Sequence, residues 1–423
     1  MAFFSNLTTI IILVIVPAYC YYRIQKNKYM ALLNPSLHLV VWGYVYLSFP
    51  VFFMHDYYLH KIFKFSDQIY SSTNALCNWY VFVFLIYYIL SKDQKIESAG
   101  YRPKIITYTI ATFFVGLTTL MFIFLLFKFG GTLLGMKDRG EALRYFGENI
   151  YFNFKYPIFL NIFIASVAVI VWRSRSFYSY LLIPLAISLD LLAKGRMIAW
   201  TYLLFAYINY VAISKKTAFK LAIPFFFLLV STVFFRIEPD DNTKKVKDVL
   251  TLLTTIFSDP INNRFTVPLY YKNYVGEGNL GEYMLFSLFQ FLPNSITLPL
   301  FGYSSIIQTS ITYVVDQDYR GKIGYSLSSN IVGEALYYGG IDFAIISPLL
   351  IGFLIYSLYT FRVFKTFPGF IFFCFVLSGL RGVMRGTFYN SFLPYIWLMV
   401  SYLVWLTVLE WGRVVFISKQ ISD

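Results

Sequence analysis

The sequence predicts an all-α integral membrane protein with about eleven transmembrane helices and one large loop outside the membrane, and three observations predict it. Of 423 residues, 58% are hydrophobic and only 13% are charged, whereas soluble domains carry about 25% charged residues. Apolar blocks recur at lengths that match the roughly 20 residues needed to cross a hydrocarbon core about 30 Å thick. Between residues 236 and 340 that pattern gives way to charges, turn residues and short apolar runs. Aromatic and aliphatic residues recur there too, so this stretch lacks the composition of a disordered tail, and connections of such length are functional when they are ordered. No period-2 alternation points to a β-barrel.

Taken in order, the spans fall near residues 3–22, 36–54, 75–90, 105–127, 158–172, 177–193, 197–213, 219–235, 341–360, 366–384 and 391–410. The first run, from Phe3 to Cys20, lacks a basic leading segment and a small-residue cleavage site, and reads as a span rather than a cleaved signal. Orientation follows from the short loops. Arg23, Lys26 and Lys28, then Lys92, Lys95, Arg102 and Lys104, then Arg173 and Arg175, then Lys215, Lys216 and Lys220, then Arg362 and Lys365 all fall on one face. Arg413 and Lys419 in the tail join them. Basic short loops mark the cytoplasmic side, which puts the N-terminus and the long loop outside and the C-terminus inside. No internal repeat or second soluble domain interrupts the pattern, so residues 1–423 read as one polytopic membrane domain carrying the 236–340 loop.

Within the loop, Lys244 to Ser258 reads as a helix, because Val246, Leu250, Leu253 and Phe257 recur at helical spacing. Asp259-Pro260 is expected to stop it. Tyr283 to Phe301 is apolar but interrupted by Pro293 and Pro299, and suits a re-entrant or surface helix better than a span. The cysteines, Cys20, Cys77 and Cys374, sit in or beside apolar runs as packing residues. His38, His55 and His60 form no metal-ligand spacing, and no Walker or dinucleotide glycine motif occurs. No metal, cofactor or nucleotide is expected.

Three constellations carry candidate chemistry. Lys194-Gly195-Arg196 stands where the seventh span begins, and a helix N-terminus already holds about half a positive charge. An anion bound there would resolve the conflict, through amide groups and a forked guanidinium. The plainer reading is an arginine that snorkels to headgroups. Arg381 and Arg385, in GLRGVMRG, are four residues apart and so share a helical face. They line a wet cavity or snorkel separately; arginine in the bilayer is costly otherwise. In SSNIVGEALYYGG, Ser328 to Gly340, Glu334 is the one acid, with Asn330 and Tyr338 four residues to either side. It acts as a base toward a sugar hydroxyl or orients an arginine. Gly339-Gly340 is expected to turn the chain into the ninth span. Arg236, Arg264, Arg320 and Lys322 add exterior cations.

This order of features resembles the O-antigen polymerase family, the oligosaccharide repeat-unit polymerases called Wzy. The resemblance rests on Gly195-Arg196 at an exterior span end, the proline-centred patch FLPNSITLP in a large loop, and Gly333, Glu334, Tyr337, Tyr338, Gly339 and Gly340 ahead of a span. The chain departs at Asn294, where members often carry arginine. The resemblance implies a metal-independent, GT-C-like membrane glycosyltransferase of the bacterial inner membrane, active at its periplasmic face. Such an enzyme polymerises undecaprenyl-diphosphate-linked repeat units into O-antigen or a related surface polysaccharide and releases the lipid diphosphate. It implies Arg196, Arg264 and Glu334 as catalytic residues. Lys194, Arg320, Arg381, Arg385, Asn330, Tyr337 and Tyr338 would bind substrate, the tyrosines by stacking on sugar faces at the loop surface. Expected partners are the lipid-linked oligosaccharides, membrane lipids and a polysaccharide chain-length regulator, with no nucleic acid. Two rivals share the substrate: a transporter or flippase, which predicts repeated spans with charges at mid-membrane, and an O-antigen-ligase-type transferase.

Overall fold

The structure is a computed structural model that describes residues 2–27, 29–53, 65–94, 105–136, 145–151, 258–282, 294–302 and 330–362, with parts of 142–170, 285 and 373–384. All its described elements are helical, and no strand occurs among the described residues. In chain order they are α1 (Ala2–Asn27), α2 (Tyr29–Leu32), α3 (Pro35–Gly43), a π-helical turn (Tyr44–Ser48), a 3-10 turn (Phe49–Phe53), α4 (Asp67–Leu90), α5 (Ile105–Gly135), a second π turn (Gly147–Tyr151), α6 (Ser258–Asn273), α7 (Asn294–Phe301) and α8 (Ile331–Thr360). Four described segments are long and apolar enough to cross a membrane: Thr8–Asn27, Asp67–Leu90, Tyr108–Leu133 and Ile331–Thr360. They make the chain a membrane protein, and they coincide with the expected first, third, fourth and ninth spans. The expected spans at 177–193, 197–213, 219–235 and 391–410 lie outside the described residues, and those at 158–172 and 366–384 are described only in part.

The residues fall into two compact units. The first comprises Met1–Lys95, Asn242–Arg362 and Gly379–Pro394; the second comprises Ile96–Asp241, Val363–Ser378 and Tyr395–Asp423. In the second, α5 buries Ala111, Val115, Thr118, Phe122, Leu125, Phe129 and Leu133 and exposes Phe113, Leu117, Leu120, Phe124 and Phe127. The buried residues recur every three or four positions, as one face of a helix must. Phe122 meets Phe163 edge-on at 5.3 Å between centroids.

In the first unit, local sequence sets the helix starts. Ser66 caps α4 by accepting from the Ile69 amide at 3.4 Å, and Asp67 follows in the first turn, where a carboxylate favours the helix dipole. Asn34 caps α3 by accepting from the Ser36 amide at 3.0 Å, with Pro35 just inside, where proline's fixed φ and missing amide cost nothing.

Side-chain contacts then fix how the helices run. The Asn78 amide donates to Thr9 Oγ1 at 2.7 Å, Tyr19 meets Tyr88 edge-on at 5.7 Å, and Arg23 pairs with Asp93 at 2.8 Å. These pairs advance together, so α1 and α4 are parallel. Trp79 Nε1 donates to the Ile345 carbonyl at 2.9 Å, Tyr87 stacks near Tyr356 at 5.9 Å, and the Gln94 amide donates to the Tyr359 hydroxyl at 2.7 Å. Thus α8 runs the same way. Conversely, Asn34 reaches Ser91 and Asp93, Tyr44 reaches the Leu13 carbonyl, and Ser48 reaches Asn78, so α3 and its turns run back between them. The approach of α4 and α8 is close enough that a Cβ on Gly352 would lie 2.3 Å from the Tyr87 ring, which makes a small residue obligatory there.

Where α1 and α4 end and α3 begins, a largely buried polar knot joins them. Arg23 donates from Nε to Asp93 Oδ2 at 3.0 Å, from Nη1 to the Tyr19 hydroxyl at 3.1 Å, and from Nη2 to the Ser91 carbonyl at 3.0 Å. Its guanidinium also lies 4.7 Å from the Tyr88 ring centroid. The Asn34 amide donates to the second Asp93 oxygen at 2.9 Å, and Asn27 donates to the first. With the charge neutralised and the fork engaged, this knot fixes the packing of the chain.

Asp259 and Pro260 lie within α6, Ser258–Asn273; the helix they are expected to end precedes them. Residues 244–257 lie outside the described residues. Within Tyr283 to Phe301, α7 forms from Asn294, and Ile296, Leu298 and Leu300 are exposed.

Candidate functional site

At the opposite end of the first unit, α6 is enclosed almost all round. From Pro260 to Tyr270 every residue except Asn262 is buried. Ile261, Phe265, Val267 and Leu269 account for part of that, but Asn263, Arg264 and Thr266 are also wholly buried. Arginine is almost never fully buried unless paired, and Arg264 is the largest such side chain among the described residues, at 0% exposure.

Its hydrogen bonds explain its position. Nε donates to the Leu47 carbonyl at 2.9 Å and Nη2 donates to Asn74 Oδ1. Leu47 sits in the π turn just before Pro50. In the 3-10 register that follows, its carbonyl would need the amide of residue 50, and proline has none. A π turn entering a 3-10 turn therefore leaves a backbone acceptor for a side chain from elsewhere. Both partners of Arg264 are neutral. Among the described residues no carboxylate pairs with it, and its buried Nη1 has no hydrogen-bond partner. Arg23 and Arg264 thus form a contrast within one helix assembly: one guanidinium is neutralised and engaged, the other keeps its charge and an open donor.

Arg381 reaches the same turn. Its Nε donates to the Tyr46 hydroxyl at 2.8 Å, and its guanidinium lies 5.9 Å from the Tyr46 centroid and 6.0 Å from that of Trp42, within cation–π range. Arg264 and Arg381, 117 positions apart by their numbers, are therefore held by the consecutive residues Leu47 and Tyr46.

The Glu334 segment packs on α6. Asn330 caps α8 by accepting from the Gly333 amide at 2.8 Å, and its own amide donates to the Asn263 carbonyl and, at 3.5 Å, to Thr266 Oγ1. This side chain, expected to bind substrate, pins α8 to α6. Glu334, 1% exposed, follows in the first turn, where the helix dipole favours a carboxylate. It forms no ion pair with Arg264. Tyr337 and Tyr338 are 9% and 5% exposed. Rather than opening onto a loop surface, they meet edge-on at 4.8 Å and cover Gly278, where a Cβ would lie 2.6 Å from Tyr337. The backbone amides of Gly276 and Gly278 donate to the Leu336 and Tyr337 carbonyls at 2.9 Å, which satisfies helix-end acceptors that would otherwise be orphaned. Gly340 then adopts φ 70°, ψ −166°, a region essentially restricted to glycine. The expected turn into the span is there, as a kink within α8.

Gly333 makes the α6–α8 contact possible, since a Cβ there would lie 2.0 Å from the Tyr270 ring. Gly333→Ala is expected to lower the thermal unfolding midpoint in detergent, with an overpacking cost of about 1–3 kcal/mol or more. Tyr270→Leu in the same chain should recover part of the loss; an unchanged midpoint in the single variant would contradict the contact.

Lys194, Arg196, Arg320 and Arg385 lie outside the described residues. Asn74, Tyr46 and the Leu47 carbonyl were not singled out from sequence. Of these, only the last had a signal, the proline three residues on. No group of His, Cys, Asp or Glu among the described residues has the arrangement of a metal site. Comparison of the chain with protein-family models, curated proteins and solved structures gives no match.

Proposed function

We propose that the chain is a membrane glycosyltransferase that polymerises undecaprenyl-diphosphate-linked oligosaccharide repeat units. The observation that carries this reading is the state of Arg264: wholly buried, held by two neutral acceptors, with one donor nitrogen left open. Burying an ion costs several kcal/mol, and an unsatisfied buried donor about 1–3 kcal/mol more. A chain that leaves such a group uncompensated and ties a second arginine to the neighbouring residue of the same turn suits an anion. A diphosphate leaving group needs its developing charge stabilised more than it needs a proton donor, and guanidinium forks supply that.

In this reading Arg264, Arg381 and Arg196 grip the diphosphate of the donor lipid, and Glu334 activates the acceptor sugar hydroxyl or orients an arginine. Lys194, Arg320 and Arg385 extend the cationic surface. The full architecture has about eleven spans of GT-C-like type, lies in the bacterial inner membrane, and works at the periplasmic face, where a chain-length regulator would act on it. Arg196→Lys is expected to lose most activity despite keeping its charge, because lysine cannot fork onto two oxygens; full activity would remove Arg196 from the grip.

The decisive assay incubates the purified full chain in nanodiscs with lipid-linked repeat units and resolves the glycans by length. A ladder of longer glycans on the lipid supports the polymerase. Translocation without lengthening makes the chain a flippase, and transfer only to a lipid A core makes it a ligase.

A further inference from the structure

We infer that Asn74 is the charge-setting residue of the Arg264 site: its neutral amide, in a place suited to a carboxylate, keeps the guanidinium available to a diphosphate. The inference rests on the anion-binding reading of Arg264 and goes beyond it by assigning a residue and a reason for its chemistry.

Asn74 lies about two turns into α4 and is half-buried, and its Oδ1 accepts from Arg264 Nη2. Aspartate is nearly the same shape as asparagine and would present an oxygen at the same place. It would also add a negative charge, and charge-assisted hydrogen bonds are about twice as strong as neutral ones. For holding a buried arginine in place, aspartate is therefore the better residue. The chain uses an aspartate where an arginine only has to be held, in the knot at the other end, where Arg23 meets Asp93. At Arg264 the equivalent partner is an amide, which orients the fork while leaving the positive charge uncancelled. Nη2 and Nε are taken by Asn74 and Leu47, so the open Nη1 is the edge left for a phosphoryl oxygen. Asn74 acts through Arg264 and is a positioning residue.

A carboxylate at 74 would compete with the ligand for the same charge, whereas deleting the amide would leave that charge in place. The two changes therefore rank oppositely for binding and for folding. The test uses the full chain in nanodiscs with farnesyl diphosphate as the probe, measuring affinity by titration and stability by thermal unfolding. Asn74→Asp is expected to weaken binding at least tenfold while the unfolding midpoint stays level or rises. Asn74→Ala, which loses the orientation but keeps the charge, is expected to bind more weakly than wild type and more tightly than Asn74→Asp, while the midpoint falls. A purely structural asparagine gives the reverse order, with Ala the weaker binder and Asp near wild type, and that result overturns the inference while leaving the diphosphate site standing. Loss of the folded state in Asn74→Asp also overturns it, since a carboxylate facing Arg264 has to tighten the packing. If the wild-type chain binds no farnesyl diphosphate, the underlying reading fails and the inference goes with it.

Discussion

Arg264→Lys is expected to lower glycan elongation by about 10²–10³-fold, the usual loss when a well-placed donor to a developing anion is removed, while the chain still reaches the membrane folded. Lysine keeps a cation on α6, but its three donors radiate from one nitrogen, so it cannot reproduce the planar fork that meets the Leu47 carbonyl and the Asn74 amide oxygen from separate nitrogens and leaves a third for a phosphate. The effect should fall on the chemical step and on binding of the diphosphate together. Elongation per folded molecule, measured beside a thermal unfolding curve, checks it; a variant that elongates at the wild-type rate would reduce Arg264 to a packing residue. Arg23→Lys serves as the control, because Arg23 ties the end of α1 to the end of α4, and its elongation per folded molecule should stay near wild type.

Asp93→Ala should have the largest effect on stability. Removing one partner of a buried ion pair costs about 3–5 kcal/mol, because the remaining charge has to stay buried without compensation. Here Asp93 accepts from Arg23, Asn27 and Asn34, its side chain is 1% exposed, and that of Arg23 is 11% exposed. The variant is expected to express poorly and to lose its folded state at lower temperature, whereas Asp93→Asn, which retains the hydrogen-bond acceptor, loses less. Fluorescence-detected unfolding in detergent measures both. An Asp93→Ala midpoint equal to wild type would mean that the knot contributes little and that apolar packing alone sets the helix order.

These two arginines also mark what could be read from sequence. Long apolar runs announce themselves, so α1, α4, α5 and the part of α8 after Gly340 follow from composition, and paired glycines ahead of Ile341 signalled the kink at Gly340. Helix α6 was not legible, because sequence patterns equate polarity with exposure. A helix that buries Asn263, Arg264 and Thr266 alongside Phe265 and Val267 has no apolar stripe to find. Asp259-Pro260 is an equally good sign of an end or a beginning, and only tertiary context decides between them. Arg264 and Glu334 were legible as candidates because charges stand out in an apolar chain. Their supports were not: the acceptor at Leu47 is a backbone atom with no side-chain signature, and Asn74 looks like any polar residue near a span end. For Tyr337 and Tyr338 the burial was not legible, since aromatic rings suited to sugars are equally suited to covering Gly278.

The most direct test is a structure of the full chain in nanodiscs with undecaprenyl diphosphate bound. A phosphoryl oxygen at about 2.7–2.9 Å from Arg264 Nη1, the length of a charge-assisted hydrogen bond, with Arg381 on the same headgroup, is the predicted result. A lipid headgroup held elsewhere, with Nη1 closed off by protein or paired with a carboxylate of the chain, would contradict the account.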